Sequence, residues 1–292
     1  MFEGFIRTEI EAGEAGIHLR HGGSGPPLLL LHGNPMTHAS WGKIANQLAQ
    51  NYHVVATDLR GYGDSSAPEP DATCSNYSFR AMANDQVEVM RRLGHDRFFV
   101  AGHDRGARVA HRMALDHPEK VRKVALIDIL PTLHIWENTS RKWALDSWHW
   151  SMMPLDNGLP ELMMGAIPPE VFIEKKISKK GIGLSIFDPE ALAEYVRCFN
   201  AKTIKGSCAD YRAAATVDLE LDRVDRDLGR MIACPVLLLW GTKSHTEGVF
   251  TDVIGIWRKF ATDIVGEGLA SGHYVNEHRP DETLAWFRRF FV

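Results

Sequence analysis

The sequence predicts an α/β protein: a doubly wound, mostly parallel sheet with a helical cap inserted into it. Three observations carry this. Apolar, β-branched runs alternate with stretches of helical spacing, the pattern of successive βαβ units. The alternation breaks off after Asp128 and resumes at Cys234. One junction, Gly102-His103-Asp104-Arg105-Gly106, has the glycine spacing of a sharp strand-to-helix turn that lifts one side chain above the sheet.

Taken in order, 27–31, 53–58, 98–102, 121–127 and 236–240 are continuous apolar segments bounded by Gly, Pro or charge, as strands covered on both faces should be. Helical spacing fills 41–50, 79–93 and 108–116, and a closing helix spans 280–291. Such a sheet places its active site beyond the carboxyl ends of the strands. From about 134 to 214 no long apolar strand occurs, and the Trp-, Met- and Pro-rich composition reads as short helices. An insertion of roughly 80 residues exceeds what one crossover needs. The expected division is therefore a core of 1–133 and 215–292 with a helical cap at 134–214.

Composition excludes several classes. Of 292 residues, 33 are Lys or Arg and 37 Asp or Glu, a net charge of -4 that favours neither nucleic acid nor an anionic membrane surface. The aliphatic run Leu28–Leu31 is far too short to span a bilayer, and the N-terminus lacks an apolar leader. Cys74, Cys198, Cys208 and Cys234 are scattered, which fits free thiols in the cytoplasm. The fourteen histidines form no H-E-x-x-H or similar cluster, so no metal is expected.

Strand, G-x-X-x-G, helix is the nucleophile elbow of the α/β-hydrolase fold. Here the raised side chain is Asp104 rather than a serine. A carboxylate makes a labile anhydride in acyl transfer, but with a saturated carbon bearing a leaving group it forms an ester. Asp104 therefore points to cleavage of a carbon–halogen bond or an epoxide. The plain alternative is an N-cap, a position aspartate favours.

The remaining parts occur in the expected order. His32-Gly33-Asn34-Pro35 follows a core strand, where this fold donates a backbone N–H to the oxyanion hole; the second donor is the Arg105 N–H. A plain turn would also explain Gly-Asn-Pro. His273, late in the chain in Ser271-Gly272-His273, is the candidate base. After Trp240-Gly241, where many such hydrolases carry the acid, the chain reads Thr242-Lys243-Ser244-His245. Asp128, at the end of the preceding strand, is the alternative acid; a lone buried carboxylate is costly, and His273 is its natural partner. Arg105 and Arg108 share one face in the first turn of the elbow helix, where the macrodipole disfavours cations. They suggest an anionic, carboxylate-bearing ligand; otherwise they are solvated or salt-bridged helix arginines.

These residues together resemble the fluoroacetate dehalogenases, near the haloalkane dehalogenases in the α/β-hydrolase superfamily. The likeness runs almost the whole chain: Asp58-Leu59-Arg60-Gly61-Tyr62-Gly63-Asp64-Ser65-Ser66, 75–83, 103–108, 112–118, Trp148-His149-Trp150 and Gly206-Ser207-Cys208-Ala209-Asp210-Tyr211-Arg212. The resemblance implies a cofactor-free hydrolysis of 2-haloacetates to glycolate and halide ion by a homodimer. It implies Asp104 as nucleophile, Asp128 and His273 as acid and base, Arg105 and Arg108 as the substrate carboxylate clamp, and His149, Trp150 and Tyr211 as donors to the halide. Asn34 departs from the family, where Phe is common; Asn in H-G-N-P is what haloalkane dehalogenases carry. Two rivals stand beside this reading. An epoxide hydrolase shares Asp and His but needs cap tyrosines, for which Tyr195 and Tyr211 are present. A non-enzymatic binding module on the same fold is the other.

Overall fold

The computed structural model describes residues 1–178 and 182–292. Among the described residues, eight strands form one sheet: β1 (Ile6–Ala12), β2 (Ala15–Gly22), β3 (Pro27–Leu31), β4 (His53–Thr57), β5 (Phe98–His103), β6 (Val121–Ile127), β7 (Val236–Gly241) and β8 (Ile264–Leu269). Their spatial order is β1-β2-β4-β3-β5-β6-β7-β8, and only β2 runs against the others. The five strands expected from apolar runs are all present, within a residue of their expected ends.

Residues along these strands alternate between two cores, one on each face. Leu29, Leu31, Val100, Val124, Leu126, Val236 and Leu238 enter one cluster. Leu28, Leu30, Phe99, Ala101, Ala125, Ile127, Leu237 and Leu239 enter the other. Each strand is therefore apolar throughout because both faces are covered. The edges read differently. β1 alternates exposed charged residues with half-buried ones, and β8 carries two glycines and Glu267. Neither produces an apolar run, which is why the sequence did not declare them.

Register aligns the functional loops. Leu31 pairs with Gly102, His103 with Ile127, and Ile127 with Leu239. The residues that follow, at 32–34, Asp104, Asp128 and 241–244, thus emerge side by side at one end of the sheet. Helices α1 (Gly42–Leu48), α2 (Phe79–Arg92) and α3 (Arg105–Asp116) pack on the sheet. α3 begins at Arg105, directly after the nucleophile candidate, three residues earlier than helical spacing suggested. Between β6 and β7 the described residues are helices and loops, from Thr132–Glu137 to Val217–Asp227. Among the described residues no helix is long and apolar enough to cross a membrane.

Candidate active site

The elbow works because α3 meets β5 and β3 with no room for side chains. A Cβ on Gly102 would lie 2.3 Å from the Gly106 carbonyl oxygen, and one on Gly106 would lie 2.5 Å from that of His32. Asp104 between them has φ +50° and ψ −115°, a conformation L-residues rarely adopt. Its side chain makes no bond to its own helix, so the N-cap reading fails. Instead, the Asn34 N–H from the loop after β3 donates to Asp104 Oδ1 at 3.0 Å. Asp104 Oδ2 faces His273 Nε2 at 3.5 Å.

His273 Nδ1 donates to Asp128 Oδ2 at 2.6 Å. Asp128 Oδ1 accepts from the Gly241 N–H at 2.9 Å and from Ser244 Oγ at 2.7 Å. Ser244, three residues past the end of β7, thus donates to a carboxylate that follows β6. Burial alone would raise Asp128 and Asp104. Hydrogen bonds to His273 and its charge outweigh it and hold both carboxyls below the usual range, Asp104 well below it. Burial pulls His273 down, but its bonds to the two carboxylates raise it above its ordinary value. Asp128 fixes the Nδ1–H tautomer and leaves Nε2 toward Asp104. The array can deliver a carboxylate nucleophile and then a base to one point.

The two arginines differ. Arg105 is fully buried and forks onto Asp210 of the 201–215 helix: Nε donates to Oδ2 at 2.8 Å, and Nη2 donates to Oδ1. Its guanidinium lies over the rings of Tyr211 at 4.1 Å and Phe79 at 4.6 Å. Arg108 donates from Nη1 to the Leu130 carbonyl at 3.0 Å and to Thr132 Oγ1 at 2.9 Å, and lies over Trp150 at 4.6 Å. Among the described residues no carboxylate pairs with Arg108. Burial and the nearby Arg105 charge push its pKa down to about 10. Arg105 therefore partly matches the plain salt-bridge reading, whereas Arg108 does not.

His149, Trp150 and Tyr211 come together. Tyr211 lies 5.6 Å from His149 and 6.3 Å from Trp150, measured between ring centroids. Tyr195 does not join them: its hydroxyl donates to Glu277 Oε1 at 2.8 Å. Asp210 and Tyr62, whose hydroxyl donates to Asp210 Oδ2 at 2.6 Å, were quoted in the sequence motifs but given no role. The signal for Asp210 was its place beside Tyr211 in a segment otherwise rich in small residues.

Comparison with known proteins agrees with this geometry. The family model for the alpha/beta hydrolase fold matches residues 26–163. A fluoroacetate dehalogenase from Burkholderia sp is 43% identical over 99% of this chain and 95% of its own. A soluble epoxide hydrolase from Corynebacterium sp. is 30% identical over 94% of this chain and 93% of its own. A solved alpha/beta hydrolase from Nostoc sp PCC 7120 is 49% identical, with a TM-score of 0.96, covering 100% of this chain and 99% of that one. Identity of that extent, carried over almost the whole chain, makes it a hydrolase of the α/β-hydrolase superfamily that belongs to the fluoroacetate dehalogenase family.

Proposed function

We propose that the protein hydrolyses 2-haloacetates to glycolate and halide through an ester on Asp104. The observation that carries this reading is Arg108. A buried guanidinium with no carboxylate partner is costly, and an anion bound beside the nucleophile would offset that cost. An uncharged haloalkane or epoxide would not.

The reaction runs in two balanced steps. The substrate carboxylate meets Arg108 and the remaining N–H arm of Arg105, with its α-carbon at Asp104. An Asp104 oxygen attacks in line, the new C–O bond replaces the carbon–halogen bond, and halide leaves with the electron pair toward His149, Trp150 and Tyr211. Fluoride is strongly hydrated and leaves only where donors replace its water. Esterification removes the Asp104 charge, and with it part of what raised His273; the imidazole becomes free to take a proton. It deprotonates water, which adds to the ester carbonyl. The Asn34 and Arg105 N–H groups receive the oxyanion, and collapse returns the Asp104 carboxylate and glycolate. His273 then gives up its proton to solvent. A cavity of about 270 Å³ lined by Lys142, Asp146, Lys243, Ser244 and His245 reaches His273.

The epoxide reading shares Asp104 and His273. It needs tyrosines to protonate the opening oxygen, and Tyr195 is committed to Glu277. The test is release of halide and glycolate from fluoro-, chloro- and bromoacetate, run beside a simple epoxide. Turnover of the epoxide alone would overturn the proposal. In His273→Asn the first step should survive and the second stop. Intact-protein mass spectrometry should then show one carboxymethyl adduct, located on Asp104; unmodified protein with no burst of halide would refute the ester.

A further inference from the structure

Arg105 and Arg108 stand one helical turn apart, yet only one of them is neutralised. Asp210 takes two arms of Arg105, and its own backbone carbonyl accepts from Nη2 at 3.2 Å. The Tyr62 hydroxyl donates to Oδ2 of the same carboxylate at 2.6 Å. Both partners of the ion pair are fully buried. With Phe79 and Tyr211 against its faces, the guanidinium cannot turn. Among the described residues buried Nη1 has no hydrogen-bond partner, which leaves it as the arm of Arg105 available to a ligand. Arg108 meets only neutral oxygens.

We infer that Asp210 is a positioning residue that sets the substrate charge this site accepts. By neutralising Arg105 it turns that side chain into a directional N–H donor and leaves Arg108 as the single uncompensated cation. Asp210 answers Arg105, so a substrate bringing one charge faces one cation without a carboxylate partner among the described residues, Arg108, at the clamp end and the nucleophile at the other. Without Asp210 the clamp would present two free cations. It would hold any small carboxylate more tightly, the product included, and would favour dianions. A mobile Arg105 could also pair with Asp104 and blunt its attack. The inference rests on the haloacetate reading, since it concerns the same clamp.

The experiment compares wild type with Asp210→Asn, using acetate and malonate as unreactive probes. In the variant the inhibition constant of acetate should fall about tenfold, the scale of one additional charge contact in a partly screened site. Malonate should gain more than acetate, KM for chloroacetate should fall, and kcat should fall as well. A fixed concentration of acetate should raise the melting temperature of Asp210→Asn more than that of wild type, because a ligand of the native state stabilises in proportion to its occupancy. Asp210→Glu, which keeps the charge, should move all of these back toward wild type. Unchanged or weaker acetate binding in Asp210→Asn, with an unchanged malonate-to-acetate ratio, overturns the proposal and leaves Asp210 as a bolt between cap and core. If the buried, unpaired Arg105 prevents folding, the double variant Arg105→Gln with Asp210→Asn removes both charges. It should bind acetate within about threefold of wild type through Arg108, and a loss beyond tenfold overturns the inference. A wild type that neither turns over haloacetates nor responds to acetate refutes the function itself, before any variant is compared.

Discussion

At the residue scale the decisive feature is the backbone of Asp104. Its φ of +50° with ψ −115° is strained for any side chain with a Cβ, and the strain, about 1–3 kcal/mol, is held by the packing of β5, α3 and the loop after β3. The geometry aims the carboxylate at His273 and Asn34 rather than along its own helix. Asp104→Ala and Asp104→Gly should both abolish turnover, but they should differ in stability. Glycine reaches this conformation freely, so Asp104→Gly should be the more stable by about 1 kcal/mol after its greater unfolded-state entropy is counted. Urea unfolding midpoints of the two variants measure the difference. Equal midpoints, or a more stable alanine variant, would mean that the elbow stores no strain. The residue types at 104, 128 and 273 were legible from the chain. Their distances were not, because they lie on segments joined only through the sheet.

At the scale of elements, the junction of β3, β5 and α3 positions the Asp104 carboxylate and the Asn34 N–H together. Gly106 makes that approach possible: a methyl group there would lie 2.5 Å from the carbonyl oxygens of Leu31 and His32. Backbone atoms cannot yield cheaply, so Gly106→Ala should destabilise the fold by about 1–3 kcal/mol and depress turnover, since the displaced loop carries the oxyanion donor. Denaturation paired with haloacetate kinetics tests this; a variant as stable and as active as wild type would show that the contact is not tight. The five central strands could be read from sequence because burial on both faces leaves only apolar residues. β1 and β8 are the edges, where exposed positions admit Arg7, Glu9 and Glu267, and the apolar signal disappears; β2 is covered, but His18, Arg20 and His21 interrupt its apolar residues.

At the scale of the whole molecule, buried acids make stability depend on pH. Burial, with the nearby charges of Asp222 and Asp210, pushes Asp218 up to about 8 from an ordinary 3.8. Its Oδ1 accepts from the Phe79 N–H at the start of α2, and its Oδ2 has no partner among the described residues. Burial likewise raises Glu277 to about 8 from 4.5. Both acids keep their protons in the folded state after the unfolded chain has released them. At these two acids folding thus takes up protons across the window from about 4 to about 8, and their contribution to stability falls as pH rises through it. Asp218→Asn keeps an oxygen for Phe79 and has no proton to lose. Its stability should decline less than that of wild type between pH 5 and 8, in denaturant titrations at several pH values. A parallel decline in both proteins would show that Asp218 is already ionised.

What the chain determined by itself is the set of candidates with local signatures: an elbow that raises a carboxylate, a histidine after the last core strand, an acid at a strand end, and two arginines sharing a helix face. These follow from spacing along one element, where 3.6- and 2-residue periods leave little freedom. What the tertiary structure decided is the partner of each buried polar group. Arg105 is answered by Asp210 and Arg108 by no acid among the described residues; Tyr211 joins the site while Tyr195 turns to Glu277; Ser244 serves the acid instead of replacing it. A charge in a low-dielectric interior is compensated by whatever lies within a few ångströms. Asp210 reaches Arg105 across 105 residues of chain, a distance over which no sequence period carries information.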